Sequence, residues 1–120
     1  MGIAYHGHYL AWCEMARTEH MRSLGVRYRD LEDRGIRLAV VDASVRFAKP
    51  ARYDDRLLVW AWLTDVGSRR IAFGYRVERP DDGATLATAE TSLVSVDGNG
   101  RPLRLPPDVL TRLEEPMHER

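Results

Sequence analysis

With 120 residues, the chain is long enough for one hydrophobic core and short for a deep pocket of its own. Basic and acidic residues balance at 18 each, so the formal net charge is zero, which argues against a nucleic-acid-binding surface; Lys49 is the only lysine, and the arginines leave room for a local phosphate patch. No apolar run is long enough for a bilayer and no signal peptide is legible, while a single cysteine, Cys13, excludes an internal disulfide and fits a reducing cytoplasm.

The chain opens with Gly2-Ile3-Ala4-Tyr5-His6-Gly7-His8-Tyr9, two histidines and small residues ahead of a helix-forming run. A helix N-terminus presents unpaired N–H groups and partial positive charge, so this stretch is suited to polarising a carbonyl or holding an anion. Tyr9, Cys13, Ala16, His20 and Leu24 recur at three-to-four spacing and predict a helix over Tyr9–Leu24. Leu10, Trp12 and Met21 widen its apolar stripe, as expected if a sheet wraps around much of it. Gly25 stands where a helix stops, and a short second helix is expected over Tyr28–Arg34.

After Gly35 the period changes. Ile36–Phe47 is β-branched and apolar, and Pro50 with Tyr53-Asp54-Asp55 marks a turn. Leu57–Val66 is apolar on both faces and is expected to be a central strand. Arg70–Arg79 alternates, with Ile71, Phe73, Tyr75 and Val77 on one face. Pro80-Asp81-Asp82-Gly83 reads as a hairpin turn, Thr85–Val96 as the last long strand, and Asp108–Glu114 as a short terminal helix. Helix first and then an antiparallel meander of about four strands is α+β organisation in a single domain over residues 1–120. So little chain leaves apolar surface exposed, and an oligomer is expected on burial grounds.

This order of elements carries the words Gly2-Ile3-Ala4-Tyr5-His6-Gly7-His8-Tyr9, Glu14-Met15-Ala16-Arg17-Thr18-Glu19, Phe47-Ala48-Lys49-Pro50-Ala51-Arg52-Tyr53-Asp54-Asp55 and Val94-Ser95-Val96-Asp97. In that order and spacing it resembles the hotdog-fold acyl-CoA thioesterases, nearest the 4-hydroxybenzoyl-CoA thioesterase group. The resemblance implies an antiparallel sheet wrapped around a long central helix. It also implies hydrolysis of an acyl-CoA thioester to free acid and CoA, with no metal or redox cofactor, at a site in the interface of a homodimer or homotetramer. Neither a nucleic acid nor a membrane is implied as partner. In that family a strand bearing a catalytic Asp precedes the Gly-x-x-Tyr-His word, and no such Asp stands ahead of Gly2 here. Two readings follow: Met1 is internal to a longer natural protein, or the chain lacks its principal carboxylate and is weakly active. A non-catalytic acyl-CoA-binding or assembly module of the same fold is the alternative function. A carrier-bound acyl dehydratase would need a different His and carboxylate motif.

The resemblance assigns roles residue by residue. His6 would line the thioester pocket, and the backbone N–H groups of His6 and Gly7 would receive the oxyanion. Tyr5 would wall the acyl pocket, and Tyr9 is expected in the core. Glu14 is the nearby carboxylate able to act as base; its other reading is an ion pair with Arg17 at i+3. Ser68, Arg69 and Arg70 match the region that meets the phosphates of CoA, although a solvated turn accounts for them equally well. Cys13 is expected to be a small buried apolar residue, Asp54 and Asp55 turn residues, and Trp60 and Trp62 interface or core.

Overall fold

The computed structural model of the protein describes residues 6–52 and 55–118. The elements run α1 (His6–Ser23), α2 (Tyr28–Asp33), β1 (Arg37–Phe47), β2 (Leu58–Val66), β3 (Arg70–Arg79), β4 (Ala84–Val96) and α3 (Pro107–His118). The strand expectations hold to within one residue, whereas α1 begins three residues earlier than the apolar spacing suggested.

All four strands form one antiparallel sheet in the order β1-β4-β3-β2. The strands β2, β3 and β4 form a meander, as expected, but β1 joins the far side of β4. The long connection of residues 48–57 carries the chain across instead of folding it back as a hairpin. The expectation that Leu57–Val66 is a central strand is therefore wrong: β2 lies at an edge of the described sheet. Its second apolar face is the outer one, where Leu58 and Trp60 stay exposed. Trp62 lies across Gly74 on that same face, close enough that a Cβ on Gly74 would sit 2.8 Å from the indole. The tryptophans are thus outer-face residues and not core.

On the inner face, Ile71, Phe73, Tyr75 and Val77 of β3 register against Leu93, Thr91, Ala89 and Ala87 of β4, giving a continuous buried layer. Helix α1 lies over β2 and β3. From Tyr9 onward its buried residues are Tyr9, Cys13, Arg17 and Met21, four residues apart, so over that length the stripe is narrow and one of its members is charged. Leu10 is 46% exposed, so the sheet does not wrap as far around the helix as its composition implied. This helix-on-sheet packing is the hotdog arrangement, α+β as the pattern of elements indicated.

A Schellman motif closes α1: the Gly25 N–H donates to the Arg22 carbonyl at 3.0 Å and the Val26 N–H to the Met21 carbonyl at 2.9 Å. This geometry holds Gly25 at φ +84°, beneath the Arg112 side chain of α3. Gly25→Ala is expected to lower unfolding stability by about 1–2 kcal/mol, the cost of forcing a Cβ into the left-handed region. A reduced urea midpoint with an unchanged slope would register it. Among the described residues no helix is long and apolar enough to cross a membrane.

Candidate active site

The two ends of α1 face different parts of the molecule. Near its start, Tyr9 is 2% exposed and packs with Ala51, Val77, Leu86 and Ala87, and its ring meets Phe47 edge-on at 4.9 Å. Near its end, Met21 packs with Ile71, Leu93 and Leu105. His6 and Gly7 form the first turn, which contains no acidic residue to neutralise the positive end of the helix. Tyr5 lies outside the described residues, as does the side chain of His6.

Ser68, Arg69 and Arg70 sit at the turn joining β2 to β3, all exposed. That turn lies at the Ile71 end of the sheet, below the C-terminal half of α1. Helix α1 has 18 residues, so it is roughly 27 Å long at 1.5 Å per residue. Within one chain the Arg69–Arg70 pair is therefore remote from the His6–Gly7 amides. The turn is anchored by its backbone: the Ser68 carbonyl accepts the Leu105 N–H at 2.8 Å, and the Arg69 carbonyl accepts the Ser95 N–H at 2.9 Å. Both arginine side chains are left exposed at its tip.

A cavity of about 280 Å³ lies against the middle of α1, lined by Glu14 and Arg17 together with Tyr28, Glu32, Arg37 and Leu38. Glu14 is exposed at its rim, while Arg17 is 6% exposed. The ion pair expected between them does not form. Arg17 instead donates from Nε to the Tyr28 hydroxyl at 3.0 Å and from Nη1 to the Tyr75 hydroxyl at 3.1 Å, and Tyr75 shares a 2.5 Å hydrogen bond with Thr91. Burial raises the Tyr75 pKa above the ordinary phenol value, more than the hydrogen bonds from Thr91 and Arg17 lower it, so the phenol stays neutral. Burial works against the Arg17 charge as well, but the bonds to Tyr75 and Tyr28 outweigh it and the guanidinium stays protonated. Glu14 keeps a carboxylate with no side-chain partner among the described residues.

Sequence reasoning did not place Arg17 at this cavity and used it only as a partner for Glu14. The signal was present: Arg17 stands midway between Cys13 and Met21 at a spacing of four, on the face that the helix buries.

Cys13 behaves as expected. It is 1% exposed, and burial pushes its thiol pKa up to about 11 against the opposing pull of Arg17, so it is no nucleophile at neutral pH. Asp55 is a turn residue, accepting from the Arg52 N–H at 2.8 Å and from Arg79 at 3.1 Å; Asp54 lies outside the described residues. Among the described residues no cluster of His, Cys, Asp and Glu could hold a metal ion.

Residues 1–86 match the family model of the thioesterase superfamily, which is more than half of the chain. The chain belongs to the thioesterase superfamily. Within it, a putative acyl-CoA thioesterase of Bacillus subtilis, YneP, is 35% identical over 97 residues, spanning 81% of this chain and 70% of that protein. The crystal structure of TT1821 from Thermus thermophilus superposes with a TM-score of 0.89 at 33% identity, covering 96% of this chain and 87% of that one. That of the 1,4-dihydroxy-2-naphthoyl-CoA thioesterase Slr0204 from Synechocystis superposes with a TM-score of 0.84 at 26% identity, covering 93% and 83%. The superfamily member described here shares the fold of these two solved structures.

Proposed function

We propose that the protein hydrolyses an acyl-CoA thioester to the free acid and CoA, with Glu14 as the general base. The observation that carries this reading is a carboxylate held without an ion-pair partner at the rim of a cavity, in a chain of the thioesterase superfamily. A base in this position takes a proton from water as the water oxygen attacks the thioester carbon. The His6 and Gly7 amides receive the carbonyl oxygen as it becomes negative.

One chain does not bring these groups together. Glu14 follows His6 by eight residues on α1, which is about 12 Å along the axis. A base and an oxyanion donor must each lie about 3 Å from the reacting atoms. Two copies meet the requirement if the base of one faces the helix start of the other, and the reading further assigns Arg69 and Arg70 to the CoA phosphates in that assembly. The surface for such pairing is the open edge β1. Val40 and Val41 on this strand are 49% and 55% exposed, and Phe47 at its end is 41% exposed. Such an edge is sealed most simply by a second β1 running antiparallel to it. The reading is therefore a homodimer with two composite sites.

Release of free thiol from acyl-CoA esters of several chain lengths tests the activity directly, and a protein that releases none overturns it. Replacing Arg69 and Arg70 together by Ala is expected to raise KM for acyl-CoA by roughly tenfold or more, as lost charge-assisted phosphate contacts would. The same variant should leave KM for the corresponding acyl-pantetheine, which lacks the nucleotide phosphates, unchanged.

A further inference from the structure

We propose that Arg17 is a catalytic residue of this site, donating from Nη2 to the thioester carbonyl beside Glu14; this rests on the hydrolytic reading above. Arg17 is a buried cation without a counter-charge: no carboxylate of a described residue lies within the 4.0 Å of an ion pair. Two of its N–H groups go to the neutral phenols of Tyr28 and Tyr75. Nothing among the described residues accepts from Nη2. Yet among those residues no fully buried side-chain nitrogen or oxygen lacks a partner, so Nη2 keeps some exposure, and Arg17 is one of the residues that line the cavity.

The charge is kept in this place by hydrogen bonds to two neutral phenols and by no anion, so its field is not cancelled by a neighbouring carboxylate. A fixed cation in a low-dielectric wall interacts weakly with a neutral carbonyl and strongly with the oxyanion that the carbonyl becomes. That difference is what lowers a barrier. Tyr28 and Tyr75 hold the guanidinium from two sides, so it need not reorganise during the reaction. Glu14 precedes Arg17 by one turn, about 4.5 Å along the helix. Their charged atoms are more than 4.0 Å apart, and both side chains line the same cavity of about 280 Å³.

In the step so built, Glu14 removes a proton from water and the water oxygen bonds to the thioester carbon. The carbonyl π pair moves onto oxygen, which Arg17 and the partner copy's helix amides stabilise. When the pair returns, the carbon–sulfur bond breaks and the CoA sulfur takes the proton from Glu14. The products are one carboxylic acid and one thiol, and Arg17 keeps its proton throughout.

The test is steady-state hydrolysis by the full chain as Arg17→Met and Arg17→Lys, with binding of an S-alkyl-CoA thioether, which has no carbonyl, measured in parallel. Arg17→Met is expected to lose about 10²–10³ in kcat with KM and thioether affinity unchanged, and methylguanidine is expected to restore part of the rate. Arg17→Lys, which keeps a cation but not the fork, is expected to lose about tenfold in kcat with thioether affinity again unchanged. Should Arg17→Met fail to fold, Arg17→Lys decides: a kcat equal to that of the unaltered protein overturns the assignment. Hydrolysis that survives Arg17→Met, or a loss that falls on KM and thioether affinity instead of kcat, overturns it too. Absence of hydrolysis by the unaltered protein removes the activity and this role together, whereas activity indifferent to Arg17 removes the role alone.

Discussion

Glu14→Gln is expected to lower kcat for acyl-CoA hydrolysis by about 10²–10⁴-fold, the usual worth of a positioned general base, while leaving the fold unchanged. The amide keeps the size and much of the hydrogen bonding of the carboxylate but does not accept a proton at neutral pH. Because Glu14 is exposed at the cavity rim and bears no ion pair, no structural contact is lost with its charge. A melting temperature equal to that of the unaltered protein would confirm that the loss is chemical. Retention of full kcat would remove Glu14 from the mechanism.

The same residue tests the composite site. Gly7→Pro deletes one candidate oxyanion N–H from the first turn of α1, a place where proline is compatible with a helix. It is expected to lower kcat by about 10²–10³-fold. Each variant alone is then nearly inactive. When equal amounts of the two are unfolded and refolded together, half of the dimers formed are mixed and carry one intact site each. Recovery of about a quarter of the original activity is expected if the base and the amides come from different copies. No recovery is expected if one chain supplies both.

The largest loss of stability is expected at Phe73. Its side chain is fully buried in β3, stacked on Tyr75 with ring centroids 6.2 Å apart and meeting His20 of α1 edge-on at 6.4 Å. Phe73→Ala leaves a cavity between sheet and helix and is expected to cost about 3–5 kcal/mol. That is a large share of the roughly 5–15 kcal/mol that holds a typical domain folded. Thermal unfolding should move down by roughly 12 °C or more. Because Phe73 stacks on Tyr75, which holds Arg17, activity should fall at temperatures where the variant is still folded. A shift of only a few degrees would mean that α1 packs on the sheet less closely than described.

Much of this protein is written in local sequence. The strands declare themselves because β-branched and aromatic residues alternate at the period of a pleated chain, and the turns at Gly25, Gly35 and Gly83 because each holds a positive φ that glycine adopts without strain. Glu14 was singled out by the family resemblance and not by local pattern, which by itself favoured an ion pair with Arg17. The identities of neighbours were a different matter. Leu58 and Trp60 made β2 look central because apolarity along a strand reports contact with something without saying what. In the fold their outer face is left bare at an edge, and β1 has crossed to pair with β4.

The same distinction governs the site. Local spacing put Arg17 three residues after Glu14, where an ion pair is the ordinary expectation. Tertiary packing instead turned Arg17 inward onto two tyrosines from α2 and β3, 11 and 58 residues away in sequence, and left Glu14 free. Helix periodicity determines which face a side chain occupies, and that much can be read from one dimension. What meets that face, and whether a charge there finds a carboxylate, a phenol or an open cavity, depends on elements brought together from distant parts of the chain.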